Sequence, residues 1–198
     1  MSKKVKVSRL ECLRPDWKRV LNAARRTVGK KPIDKEPSDK FKKSILLAEH
    51  SPIRLLEYDF SWEDIRQWVS VHLVRHHEGC EKFVHSQRGS RRDLLGEYNV
   101  ATRDELPQGA LNDMDMTCNA QSFINISRKR LCKGATSKET REAWELVIKY
   151  LETVDPILAE KCVPECIYRG FCPEFDRCCG YVNSKEYEER LKKYRSNN

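Results

Sequence analysis

The sequence predicts an α+β fold: a small, mostly antiparallel sheet flanked by helices, with a Cys-rich C-terminal lobe. Three observations carry that expectation. Apolar residues recur at helical spacing in several separate segments, shorter segments between them read as extended, and five of the nine cysteines fall within residues 162–179. The chain divides accordingly into an N-terminal helical, basic segment (1–45), a core (46–160) and a Cys-rich lobe with a charged tail (161–198).

The elements follow in order. Trp17, Val20, Leu21 and Ala24 are spaced as one helix face, with Pro15 just ahead and Gly29 to Pro32 as the stop. Residues 30–43 are a lysine-rich connection into a short helix around 41–49, which Ser51-Pro52 breaks, because the residue before proline disfavours the helical region. Residues 53–60 read as a strand. Ser61 reads as the N-cap of a helix with acids in its first turn, and Ile65, Trp68, Val69 and His72 give that helix one buried face. Gly79 ends it, and residues 83–88 are extended. Residues 89–109 are polar and read as a loop. Residues 114–131 form a second helix, closed by Gly134. Thr136 and Glu139 form a capping box opening a third, with Ala143, Leu146, Val147, Tyr150, Leu151 and Val154 as its apolar stripe. The tail from Ser184 is charged and at best helical. No repeats occur.

Composition narrows the function classes. The 198 residues carry a net charge of +8, with 39% hydrophobic and 34% charged residues, so a real core and anionic partners are both expected. The signs of the charges are interspersed, which favours a salt-laced surface over a nucleic-acid stripe. No apolar run approaches the ~18 residues of a membrane span, and no apolar stretch follows the basic N-terminus, so a cytoplasmic protein is expected. The cysteines then read as thiols or metal ligands before disulfides.

Two clusters suggest a nucleotide site. His72, Arg75, His76 and His77 crowd one helix end, and Ser86, Gln87 and Arg88 follow closely, a donor density that suits phosphate. Downstream, Asn119, Phe123 and Arg130 are spaced to share a helix face, flanked by Gln121 and Asn125, whose amides fit the edge of a heterocycle. Taken alone, the second segment reads first as a solvated basic turn with favourable helix-dipole placement.

The order of these motifs changes that weighting. The chain resembles the flavin-dependent thymidylate synthases, whose hallmark is an Arg-His-Arg helix end followed by Ser-x-Arg; the corresponding residues are Arg75-His76-His77 and Ser86-Gln87-Arg88. The resemblance runs from Ser51-Pro52 through Arg103-Asp104-Glu105-Leu106-Pro107 to Asn119, Gln121, Asn125 and Arg130, covering residues 49–154. It implies FAD contacts from Ser51, Arg75, His76, His77, Asn119, Gln121 and Asn125. It implies a dUMP or related pyrimidine nucleotide site at His72, Arg75, Ser86, Gln87, Arg88, Arg103 and Arg130, with Arg130 as the activating catalytic residue. The implied reaction moves a methylene group from methylenetetrahydrofolate to C5 of dUMP, with FAD recharged by NADPH. The implied assembly is a homotetramer with sites between subunits. His77 stands where the family has arginine, His72 where glutamine is common, and Gln121 where arginine is found.

Other readings remain beside this one. His72 and His76 have metal-ligand spacing but lack an acidic general base between them. Cys162, Cys166, Cys172 and Cys178 have enough thiols for zinc but no Cys-x-x-Cys, so the expectation is no metal, with packed thiols preferred over a zinc staple. The competing functions are a pyrimidine nucleotide hydroxymethylase, or a basic zinc-containing nucleic-acid-binding protein.

Overall fold

The computed structural model describes residues 4–14 and 16–196; Pro15 and the outermost ends of the chain lie outside the described residues. Among these, β1 (Lys6–Cys12), β2 (Glu57–Arg66), β3 (Cys80–Val84) and β4 (Leu111–Asn119) build one antiparallel sheet in the spatial order β1-β2-β4-β3. The expected α+β class with a small antiparallel sheet is what the chain adopts.

The central strands explain most of the departures from the sequence reading. Tyr58, Phe60 and Trp62 alternate inward along β2, and Met114, Met116 and Cys118 do the same along β4. This period of two overrides the helix expected from Ser61 and the first turns of the one expected over 114–131. A bulge disguised β2. The register shifts between Trp62 and Ile65, where Asp64 takes φ +57°, so Ile65 returns to the buried face at a helix-like spacing of three. The strand expected over 53–60 begins later, because Ser51–Leu55 coils into a 3-10 turn that buries Pro52 and Ile53. β1 was not foreseen; it pairs with β2 and ties the N-terminal segment into the sheet.

The helices fall closer to expectation. α1 (Trp17–Thr27) is capped by Asp16, whose carboxylate accepts from Arg19 N at 2.8 Å, and α2 (Asp39–Leu47) by Ser38. α3 (Gln67–Leu73) is a short remnant of the helix expected from Ser61. α4 (Arg92–Glu97) and a 3-10 turn at Arg103–Glu105 occupy the expected loop. α5 (Ala120–Arg130) continues directly from β4. In α6 (Lys138–Val154) the cap is Ser137, one residue beyond the expected Thr136, whose hydroxyl donates to Lys129 O instead. Its buried face is Thr140, Ala143, Trp144, Val147, Ile148 and Leu151, while Tyr150 and Val154 are exposed. α7 (Pro156–Ala159), α8 (Glu165–Arg169) and α9 (Lys185–Arg195) complete the chain. Among the described residues no helix is long and apolar enough to cross a membrane.

Sheet, α5 and α6 meet in an aromatic cluster. Phe60 lies 5.0 Å from Trp62 and 5.1 Å from Phe123, and Phe123 lies 5.6 Å from Trp144, centroid to centroid. Each polar edge in this core has a partner. Trp62 Nε1 donates to Ala143 O at 3.0 Å, Trp144 Nε1 to Ser127 Oγ at 2.9 Å, and the Tyr58 hydroxyl to Asp155 Oδ2 at 2.7 Å. Val163, Ile167, Tyr187 and Tyr194 form a separate small cluster between α8 and α9. Trp144→Ala removes the ring that joins α6 to α5 and is expected to cost about 3–5 kcal/mol of stability, read as a lowered urea midpoint. An unchanged midpoint would refute this placement of the core.

Candidate functional site

The site grows from the end of β4. Asn119 is the last residue of the strand and the N-cap of α5: its Oδ1 accepts from Ser122 N at 3.0 Å. Its own backbone N–H donates to Gly79 O at 3.0 Å, and Ser122 Oγ donates to Glu78 O at 2.6 Å. The turn between α3 and β3 is thereby clamped onto the start of α5. Gly79 has φ +64°, and a Cβ there would lie 2.2 Å from Asn119 Nδ2 and 2.6 Å from Ser122 Oγ. The residue read from sequence as a helix stop is a point of close approach.

Beside this clamp lies a cleft of about 720 Å³, lined by Asn119, Gln121, Ser122 and Asn125 of the β4–α5 run together with Glu49, Arg54, Glu78 and Gly79. Its α5 wall is held from behind. Gln121 Nε2 donates to Glu49 Oε2 at 2.6 Å, Arg128 pairs with the other oxygen of Glu49, and the Arg128 guanidinium stacks 3.5 Å above the Tyr168 ring. Asn125 Oδ1 receives bonds from Gln121 and Arg128, both at 3.3 Å.

A second network sits at the other end of α5. Arg130 Nε donates to His76 Nε2 at 2.9 Å, and Arg130 Nη2 donates to the His72 carbonyl. His72 Nδ1 meets Thr140 Oγ1 at 3.0 Å, and Lys82 Nζ donates to His76 O at 2.5 Å. Burial, reinforced by Arg130, Lys82 and His77, pushes the His76 pKa down to about 4. His76 is thus a neutral acceptor for Arg130. Burial likewise lowers His72, with Arg130 and Arg75 adding to it, and lowers Arg130, with Arg75 adding. The arginine is held by a neutral ring and a carbonyl, with no carboxylate on it among the described residues.

The structure brings only part of the expected set together. Asn119, Gln121 and Asn125 share the cleft, and His72, His76 and Arg130 form one bonded network with Arg75 close by. Of the three residues expected on one helix face, Asn119 precedes the helix as the last residue of the strand, and the Phe123 ring is fully buried in the core. Ser51 opens the 3-10 turn that carries Arg54 into the cleft, and Arg75 and His77 are exposed on the turn after α3. Ser86 and Arg88 are exposed beyond β3, Gln87 Nε2 is buried without a partner, and Arg103 is exposed beside Asp104. No hydrogen bond or ion pair joins these four to Arg130 among the described residues.

The sequence reading missed Glu49, Arg54, Gly79, Ser122 and Thr140 as site-forming residues. Asn119 and Ser122 carried a legible capping signal; the others act through tertiary contacts that no local pattern announces. Among the cysteines, Cys162 is sealed in the main core and is misplaced as a ligand with the others. Among the described residues no group of three or more metal-capable side chains stands in ligating geometry.

No protein-family model matches the sequence, and no curated protein matches it significantly. Solved structures do. Thymidylate synthase X (ThyX) from Helicobacter pylori, crystallised with FAD and dUMP, is 16% identical with a TM-score of 0.63, the match covering 81% of this chain and 98% of that one. A second crystal structure of the same enzyme with FAD and dUMP gives 0.64, again at 16% identity, covering 81% and 100%. The UMP/dUMP methylase PolB from Streptomyces cacaoi, bound with 5-Br dUMP, is 14% identical with a TM-score of 0.57, covering 85% and 95%. The chain has the ThyX fold. The likeness extends over nearly the whole of each ThyX chain.

Two outcomes test the geometry. Gly79→Ala is expected to cost about 1–3 kcal/mol through its positive φ and the clash with Asn119, measured by urea unfolding. The second concerns pH. His76 binds its proton less tightly in the folded protein, at about 4, than in the unfolded chain, at about 6.5, so the unfolded state binds more protons between those values. The stabilisation is present above the upper value and is lost as pH falls through the window. His76→Gln keeps an acceptor for Arg130 without titrating, so the melting-temperature advantage of the native protein over the variant should shrink on acidification. A difference constant from neutral pH to the lower value would contradict the neutral His76.

Proposed function

We propose that this protein is a flavin-dependent enzyme of pyrimidine nucleotide synthesis that transfers a methylene group from methylenetetrahydrofolate to C5 of dUMP, giving dTMP with FAD and NADPH. The observation that carries the reading is Arg130, held by His76 and the His72 carbonyl on the same helix whose first turns line the cleft. Two further supports are the ThyX fold and the neighbours' bound FAD and dUMP.

The residues of the cleft suit FAD. Its volume lies within the range of cofactor sites. The Asn119 and Asn125 Nδ2 groups make no bond among the described residues, and Arg54 and Arg75 make no ion pair, so amides for a ring edge and cations for phosphate stand ready. Gln121 contributes less directly, since its Nε2 is committed to Glu49 and Asn125. When bound, FAD supplies the hydride chemistry and NADPH restores it.

The protein's own part is orientation and electrostatics. Arg130 stays protonated, and two of its nitrogens are occupied by neutral acceptors, which fixes the guanidinium plane and leaves its charge uncompensated. A pyrimidine whose N3 ionises gives that charge a partner, and stabilisation appears where negative charge develops. The exposed Ser86, Arg88 and Arg103 and the half-buried Gln87, none of them bonded to Arg130 among the described residues, are assigned to the nucleotide phosphate in a neighbouring subunit's site of a homotetramer. The expected compartment is the cytoplasm. The likeness to a UMP/dUMP methylase supports assaying UMP beside dUMP.

Arg130→Ala should lower tritium release from 5-labelled dUMP, with NADPH and methylenetetrahydrofolate present, by about 100-fold or more. Flavin absorbance and melting temperature should be retained. Full nucleotide-dependent flavin oxidation in the variant would remove Arg130 from its assigned role. Wild-type protein that binds FAD but releases no tritium would move the reaction to hydroxymethylation or another pyrimidine nucleotide.

A further inference from the structure

The C-terminal lobe gathers thiols that are distant in sequence around one cavity. Cys132 follows α5, Cys166 lies in α8, and Cys172, Cys178 and Cys179 lie between α8 and α9; all five line a space of about 400 Å³. All are free thiols. Cys162, grouped with them from sequence, packs instead in the main core, and Cys132 takes its place.

A second observation concerns what holds this segment. Residues 171–180 form no helix or strand, and Phe171 and Phe175 point outward, 58% and 102% exposed. The segment adds no residue to the buried cluster of Val163, Ile167, Tyr187 and Tyr194. Yet its backbone is pressed against the connection that follows α5: Arg177 O sits 2.0 Å from where a Cβ on Gly134 would be. A stretch so close to its neighbour without an apolar anchor calls for a staple of another kind.

We propose that Cys132, Cys166, Cys172 and one thiol of the Cys178–Cys179 pair form a structural zinc site that fastens residues 171–180 to the end of α5. Adjacent residues direct their side chains apart, so one of the last two completes the shell. Four thiolates select a borderline-soft, tetrahedral ion, which is Zn²⁺. Burial first, then the neighbouring Cys132, Cys172 and Cys179, push the Cys166 thiol up to about 11, and Cys172 is raised by burial and by Cys178 and Cys132. Without a cation Cys166 and Cys172 stay protonated. A divalent ion reverses this, each coordinating thiol giving up its proton to solvent as its sulfur bonds zinc. The sulfurs are not yet in ligating geometry; closing the shell takes thiol rotations and an inward shift of a segment with no secondary structure to break.

The test uses the full chain, purified under reducing conditions without chelator. Elemental analysis should find one zinc per chain, and cobalt substitution should give the intense thiolate charge-transfer absorption of a tetrahedral sulfur site. Cys132→Ser and Cys172→Ser should each retain less than about a tenth of the metal, whereas Cys80→Ser, in β3, should retain it all. Should the serine variants fail to fold, mercurial titration of the wild-type thiols should release zinc stoichiometrically. A folded wild type that stays metal-free after zinc addition would overturn the proposal. So would metal unchanged in both serine variants, or a mass deficit of two hydrogens per bridge in unreduced protein, the mark of disulfides.

Discussion

The structure turns on the passage from β4 to α5, which is made without a loop. Asn119 ends the strand, caps the helix and receives the α3–β3 turn through its backbone N–H, while the next residue, Ala120, donates to Leu56 O at 3.0 Å. Strand and helix are therefore one rigid run. The alternating residues of β4 seat it in the core, and the helical residues that follow are aimed by that seating. Gly79 is what allows the turn to come close enough, since any side chain there would displace the cap. Cleft and core are fixed by the same few hydrogen bonds.

That continuity also explains what could and could not be read in the sequence. α1 and α2 were legible because each is a helix with one apolar face, whereas α9 was read as a charged tail, at best helical, although Ser184 caps it. β4 was not, because Met114, Met116 and Cys118 run straight into the helical pattern of Phe123, Ile124 and Ile126 with no Gly or Pro between them. β2 was hidden by its bulge, which places Trp62 and Ile65 on one face at a spacing that a helix shares. The motif residues were legible as a set, Arg75-His76-His77 with Asn119 to Arg130. Their geometry was not, because it depends on Glu49, Thr140 and Lys82, which reach the site from elements that local patterns do not connect.

The electrostatic character of the site follows from which partners its cations have. Arg128 is neutralised, paired with Glu49 and covered by Tyr168, and serves to brace the helix. Arg130, two residues on, bonds among the described residues to a neutral imidazole and a carbonyl. The last turn of one helix thus carries an arginine paired with a carboxylate and another held by neutral partners. Desolvation makes the second arrangement costly in the free protein, and an anion arriving there relieves the cost. The depressed His76 is part of the same design, because a protonated ring would repel Arg130 and lose its acceptor.

α5 also joins the site to the lobe. It carries Asn119 at its start, Arg130 in its last turn and Cys132 just beyond, while Arg128 reaches Tyr168 of α8. Thr136 strengthens the join by donating to Lys129 O, which satisfies a carbonyl that the helix end would otherwise leave open. A helix fixed at its first turn by Asn119 alone would be free to fray at its last, where Arg130 sits. Holding the far end against the lobe restricts that motion, so the placement of Arg130 depends on contacts with residues well outside its own bonded network. Loosening residues 171–180 should therefore disturb Arg130 before it disturbs the sheet, since the aromatic core between them is closed independently by Trp62, Phe123 and Trp144.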